Sequence, residues 1–237
     1  MSRPRVRFVL VRPRIGENVG AAARALANFG LDDWVLVSPD AGDPRAARRL
    51  AVHAGHLLEG VRVASSLDEA VADCALVIGT TSRRVRGRHP LLPEEAARAA
   101  AEVAPGGRTA LVFGGERDGL AASELARCDA LSAVPTDARQ PSLNLAQAVG
   151  IYAHAVRGAA AGAARDGEPR AAGARATDTE LRGVEEALRR ALREGGFLAG
   201  PERHAVRDLA ATLRRARLSR REARLWNAAL RRLARGV

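Results

Sequence analysis

Lysine is absent from this 237-residue chain: every one of its 38 basic residues is arginine. A bias toward Arg and Ala codons could produce that choice, so the sign of the balance, formally +11, is the better evidence and points to an anionic partner. Aromatic residues make up only 3%, so the core must be built from Ala, Val and Leu, and rows of stacked rings are excluded as the means of holding nucleic acid. The two cysteines, Cys74 and Cys128, form no Cys-x-x-Cys pair, which argues against a zinc site or disulfide framework and suits a reducing cytosol. His53, His56, His89, His154 and His204 match no ligand spacing, so no metal is expected. No apolar run approaches the ~20 residues of a membrane span. The short run 8–11 meets Arg12-Pro13 and does not read as a signal peptide, so a cytoplasmic protein is expected. Neither a Walker A loop nor Gly-x-Gly-x-x-Gly occurs, which disfavours nucleoside triphosphates and a Rossmann oxidoreductase.

What is present is 47% hydrophobic content, enough for one sizeable domain and a smaller appendage. Apolar runs bounded by turn signals recur at 6–11, 34–37, 61–64, 75–79, 109–114 and 131–134, with helical patterns between them. This alternation predicts an α/β fold with a mostly parallel sheet covered by helices, whose ligands bind beyond the C-terminal strand ends. Ser66-Leu67-Asp68-Glu69 has capping-box form, and Leu92-Pro93-Glu94-Glu95 puts Pro and acids in a first turn.

The loops after the strands hold the candidate chemistry. After the first strand, Asn18 precedes a helix of small residues that carries Arg24, a guanidinium among alanines. After the fourth, Thr80-Thr81-Ser82 offers hydroxyls, and Arg83, Arg84, Arg86 and Arg88 follow on a loop that Gly87 and Pro90 keep from being helical, a pattern suited to phosphate contact; Arg12 is a further candidate. The fifth strand delivers Gly114-Gly115-Glu116, glycines for close backbone approach beside a single acid that could equally serve a helix terminus. Beyond Val134 comes Pro141-Ser142-Leu143-Asn144, where Ser142 is expected to cap the next helix and Asn144 offers an amide that both donates and accepts.

Taken in order, Asn18-x-Gly20 with Arg24, Phe113-Gly114-x-Glu116-x-x-Gly119-Leu120, and Ser142-Leu143-Asn144 resemble the three motifs of the SpoU/TrmH (SPOUT) class of RNA ribose 2'-O-methyltransferases. The Thr-Thr-Ser-Arg loop and Ser-Leu-Asn-Leu-Ala look most like the TrmJ subfamily, which methylates nucleotide 32 (cytidine or uridine) of the tRNA anticodon loop. The resemblance implies a C-terminal trefoil knot in the sheet domain, S-adenosyl-L-methionine as cofactor, and tRNA and a second copy of the chain as partners, with no membrane and no DNA. It assigns Thr80, Thr81, Ser82, Gly114, Gly115, Val134, Ser142, Leu143 and Asn144 to the cofactor, and Arg24, with Asn18, Glu116 and Ser142, to the ribose and the chemistry. Arg12, Arg83, Arg84, Arg86 and Arg88 remain the RNA-binding candidates. An rRNA methyltransferase of the same class and a non-catalytic knotted RNA-binding factor are the alternatives.

Residues 1–158 are thus expected to form the methyltransferase domain. Residues 159–176, rich in Ala, Gly and Arg, read as a flexible linker, and 177–237 as a small all-α C-terminal bundle. Thr177-Asp178-Thr179-Glu180 and Ser219-Arg220-Arg221-Glu222 have capping-box form, Pro201 suits a first helical turn, and Gly196-Phe197-Leu198 is a further TrmJ-like feature. Trp226, in a stripe with Ala229, Leu230 and Leu233, reads as core. Residues 165–237 hold 18 Arg against 10 Asp and Glu, which makes the bundle a candidate for docking tRNA phosphates; an oligomerisation bundle with a solvated arginine face is the other reading.

Overall fold

The computed structural model describes residues 5–40, 42–103, 106–163, 175–197 and 205–234. In chain order they form β1 (Val6–Val11), α1 (Gly16–Asn28), β2 (Trp34–Val37), α2 (Pro44–Leu50), α3 (Gly55–Glu59), β3 (Arg62–Ala64), α4 (Leu67–Val71), β4 (Leu76–Thr80), α5 (Pro93–Ala101), β5 (Thr109–Gly114), α6 (Ala122–Arg127), β6 (Ala130–Ser132) and α7 (Leu145–Ala163). Three further helices follow: α8 (Asp178–Glu194), α9 (Ala205–Arg215) and α10 (Arg220–Leu233).

The six strands make one sheet in the order β3-β2-β1-β5-β4-β6, and every pairing is parallel. Side chains alternate across it. Phe8, Leu10, Leu36, Ile78, Leu111 and Phe113 join the core under α1, α5 and α7, whereas Val9, Val11, Val37, Val77 and Val112 join the core under α4 and α6. Burial on both faces is why the strands read as unbroken apolar runs. The chain grows from β1 toward β2 and β3, then crosses to the other side for β4, β5 and β6, so β1 and β5 flank the point where the winding reverses. Their C-terminal ends lie in register, Val11 opposite Gly114, and that brings the loops after them together.

Several expectations need correction. The sixth strand ends at Ser132, short of Val134, where its pairing with β4 ends at Thr80; on its other edge Leu91 bridges Ser132 and accepts from the Ala133 N–H. Residues 159–163, expected to begin a linker, are the last turn of α7, Arg175 bridges Ser219, and Ala176 is buried with its N–H donated to the Leu218 carbonyl; residues 164–174, like Pro201 and Leu198, lie outside the described residues. Trp226 is not core: it is 45% exposed, while Ala223 and Leu230 carry the inward face of α10 against Leu181, Val184 and Leu188 of α8. The stripe through Trp226 and Leu233 runs along the edge of the buried face, an offset that helical spacing alone does not resolve.

Both C-terminal capping boxes form. Thr177 and Ser219 accept from the N–H of Glu180 and Glu222, whose carboxylates accept from the Thr177 and Ser219 N–H. Cys74 and Cys128 are buried and free, and burial pushes both thiols up to about 12. Among the described residues no helix is long and apolar enough to cross a membrane.

Candidate active site

A cleft of about 270 Å³ opens at the C-terminal ends of β4, β5 and β6. Eight of the nine residues assigned to a cofactor by motif line it: Thr80, Thr81, Ser82, Gly114, Gly115, Val134, Ser142 and Leu143. Asn144, the ninth, is not in the lining. Backbone crowding explains the glycines. A Cβ on Gly114 would lie 2.0 Å from the Gly119 carbonyl carbon, and one on Gly115 would lie 2.3 Å from the Arg12 carbonyl oxygen. The glycine pair therefore lets the β5 loop fold back on itself and against the end of β1.

Of the residues that form the floor, Phe113 and Leu120 belong to the second motif and Leu145 to the Ser-Leu-Asn-Leu-Ala stretch, whereas Ala148 and Tyr152 lie outside the motifs. Phe113, Leu120, Leu145, Ala148 and Tyr152 supply its apolar surface, with Phe113 edge-on to Tyr152 at 5.5 Å. The Tyr152 hydroxyl donates to Ser132 Oγ at 2.7 Å, and Ser132 in turn donates to the Leu91 carbonyl at 2.8 Å; burial pushes the phenol up to about 12. The available signal was that Tyr152, the single tyrosine of the chain, sits in an apolar helix where its hydroxyl needs a partner. On the rim, the Thr80 hydroxyl donates to the Val112 carbonyl at 3.0 Å, and Thr81 Oγ1 accepts from the Arg83 N–H at 3.1 Å.

Glu116 also faces the cleft, and three donors engage it: Asn18 Nδ2 at 2.8 Å and the N–H groups of Arg14 and Ile15 at 2.9 and 3.2 Å. Burial raises its affinity for a proton, but these hydrogen bonds outweigh that and hold the carboxyl below the usual glutamate range. A carboxylate so engaged is a poor proton acceptor and a good anchor for the start of α1. Asn18, itself buried, accepts at Oδ1 from Asn144 Nδ2 at 2.8 Å. Asn144 Oδ1 takes the N–H groups of Ala146 and Gln147 at 2.9 and 3.3 Å, so Asn144 caps α7 and Ser142 does not. One hydrogen-bonded chain, Glu116 to Asn18 to Asn144, thus ties the three motifs together.

Arg24 is exposed on α1, makes no hydrogen bond or ion pair among the described residues, and does not line the cleft. The five arginines assigned to RNA divide. Arg12 pairs with Glu124 and Arg83 donates to the Leu120 carbonyl, while Arg88 spans the Leu125 and Cys128 carbonyls, both at 2.9 Å, closing the end of α6. Arg84 and Arg86 are exposed with no partner among the described residues.

Comparison with known proteins gives this arrangement a class and then a closer kinship. Residues 5–154 match the SpoU rRNA Methylase family, and the chain belongs to that family. Over 155 residues it is 41% identical to the Pseudomonas aeruginosa tRNA (cytidine/uridine/adenosine-2'-O-)-methyltransferase TrmJ, covering 65% of this chain and 60% of that protein. It is 34% identical over 155 residues to the Methanocaldococcus jannaschii tRNA (cytidine-2'-O-)-methyltransferase TrmJ, covering 64% of this chain and 66% of that one. The matched segment thus spans less than two thirds of each relative. The crystal structure of TrmJ from Z. mobilis ZM4 superposes with a TM-score of 0.81 at 35% identity, covering 98% of this chain and 99% of that one.

Proposed function

We propose that this protein is an S-adenosyl-L-methionine-dependent tRNA ribose 2'-O-methyltransferase that works as a cytoplasmic homodimer with a trefoil knot around its cofactor pocket, and that it modifies nucleotide 32 of the anticodon loop. The observation that carries the reading is the convergence of residues from three strand ends and the start of α7 on one cleft. Kinship to proteins named as tRNA 2'-O-methyltransferases supports the substrate class.

The lining fits the cofactor. Leu120, Leu145 and Ala148 would offer apolar surface to a ring and the glycine backbone would allow close approach, while the acids Glu116 and Asp118 share the lining with Arg83 and Arg117. S-adenosylmethionine, when bound, supplies a methyl group activated by its sulfonium. The chain's own task is to bring a ribose hydroxyl in line with that methyl and to exclude water, which is catalysis by positioning. Arg24 is a poor base, since a guanidinium holds its proton throughout the pH range of a folded protein. Its role on this reading is to grip the phosphate next to the reacting ribose and orient the hydroxyl.

On this reading α1 of a second copy brings its Arg24, which lies outside the lining of its own cleft, to the pocket. The hollow beside it, lined by Ala25, Phe29, Leu143, Ile151 and Ala155, offers α1 and α7 as the apolar face for that contact. The test is to incubate purified protein with unmodified tRNA and labelled S-adenosylmethionine and map the product. A 2'-O-methyl at nucleotide 32 is expected; methyl on a base, or only in ribosomal RNA, would refute the assignment.

A further inference from the structure

The C-terminal bundle is clamped to the sheet domain. Asp178, the first residue of α8, is 1% exposed and donates its N–H to the Cys74 carbonyl at 2.7 Å. Its carboxylate accepts from Arg127 of α6 at 2.5 Å and from Arg214 of α9 at 2.9 Å, with Arg182 at 3.2 Å. Next to it, the Thr179 hydroxyl donates to the Ala72 carbonyl at 2.8 Å. A buried carboxylate shared by guanidiniums from both domains specifies one docking orientation, because separating them would strand buried charge.

Docking creates a groove of about 1070 Å³, walled on one side by the 83–88 loop and α6 and on the other by α8 and α9. Each of its three acids faces an arginine of the lining. Asp129 and Glu185 face Arg214 at 3.8 and 2.6 Å, and Asp208 faces Arg207 at 3.3 Å. Besides Arg83, whose guanidinium is taken up by the Leu120 carbonyl, four exposed guanidiniums are left without an acid among the described residues: Arg84 and Arg86 on the first wall, Arg189 and Arg215 on the second, where Arg215 donates to the Thr212 hydroxyl. Of the larger apolar residues of the lining, Leu125 and Val206 are buried and Val85 is half-buried against the sheet core, and the other apolar side chains there are alanines, so the groove offers no large exposed apolar anchor for a protein partner.

We propose that this groove, separate from the cofactor cleft, is a channel for an RNA phosphodiester backbone, with Arg189 and Arg215 as phosphate-binding residues opposite Arg84 and Arg86 and with Asp178 as the positioning residue that holds the second wall in place. The proposal rests on the RNA-substrate reading above. Guanidinium forks match phosphate oxygens, and two opposed walls suit a strand passing between them.

The test is tRNA binding by the full chain, measured by fluorescence anisotropy over a range of salt. The Arg189→Glu/Arg215→Glu variant should bind roughly tenfold or more weakly, with the log–log salt slope lowered by about two, whereas Arg189→Lys/Arg215→Lys recovers most of the loss and cofactor affinity stays unchanged. Asp178→Asn should weaken RNA binding while cofactor binding is retained; unchanged RNA binding would overturn its positioning role. A Glu variant that binds within about twofold of the parent with the same slope would overturn the groove. Displacement of the RNA by poly-glutamate at equal charge concentration would overturn its assignment to nucleic acid. If the parent shows the salt-dependent binding that the variant loses but forms no 2'-O-methyl, the groove stands and the enzymatic reading falls. Methylated tRNA from the parent, with RNA binding by the Glu variant unchanged, would leave the enzymatic reading standing and overturn the groove.

Discussion

Asn144 donates its side-chain amide to Asn18 Oδ1 at 2.8 Å across 126 positions of sequence, while its own carbonyl oxygen caps α7. A single side chain therefore closes the loop before α7 and fastens it to the start of α1.

Asn144→Ala removes a helix cap and leaves buried Asn18 short of a donor, a loss on the order of 1–3 kcal/mol. Asn144→Asp keeps the cap acceptor but cannot donate to Asn18, so it should recover only part of that loss. Urea unfolding of the three proteins checks this; equal stability of parent and Asn144→Ala would show that the link carries no weight.

Arg24→Ala should abolish methyl transfer, leave cofactor affinity almost unchanged, and shift stability by no more than about 0.5 kcal/mol, because the side chain is exposed without a partner among the described residues. Single-turnover assays and calorimetric titration separate these effects. A collapse in cofactor affinity would remove Arg24 from its proposed role.

Gly114→Ala places a methyl group where the Gly119 carbonyl carbon now stands 2.0 Å from the Cβ position. The β5 loop must move, so cofactor binding should be lost while the sheet persists. Far-ultraviolet circular dichroism alongside S-adenosylmethionine titration distinguishes this local effect from global unfolding.

Asp129 lies buried beneath the bundle with one oxygen accepting from the Val77 N–H at 2.7 Å and the other lacking a hydrogen-bond donor. Burial pushes its carboxyl up to about 6, against the help of Val77 and Arg214. The native state therefore binds this proton more tightly than the unfolded chain. Asp129 imposes no differential cost below the unfolded value near pH 4, a growing one between pH ~4 and ~6, and the full cost, on the order of 1–3 kcal/mol, above that window. Asp129→Asn should flatten the stability profile across that window and raise the melting temperature at pH 7. Parallel profiles would show that the carboxylate is fully compensated in place.

The sequence alone was enough for the alternation of apolar strands and helices, the capping boxes at Thr177 and Ser219, and the gathering of hydroxyls, glycines and a Ser-Leu-Asn loop at strand exits, because each depends on residues a few positions apart. Trp226 shows the limit of that reasoning, since helical spacing gave its stripe but not which edge of the stripe faced inward. Partners far apart in the chain were settled only by tertiary structure. Glu116 carries no mark that it anchors Arg14 and Ile15 across the point where the sheet reverses direction, nor Asp178 that it would meet Arg127 and Arg214. A charged side chain's hydrogen-bond partners are fixed by packing at a distance, and that is why motif order pointed to the cleft at the strand ends while only the folded chain disclosed the arginine groove beside it.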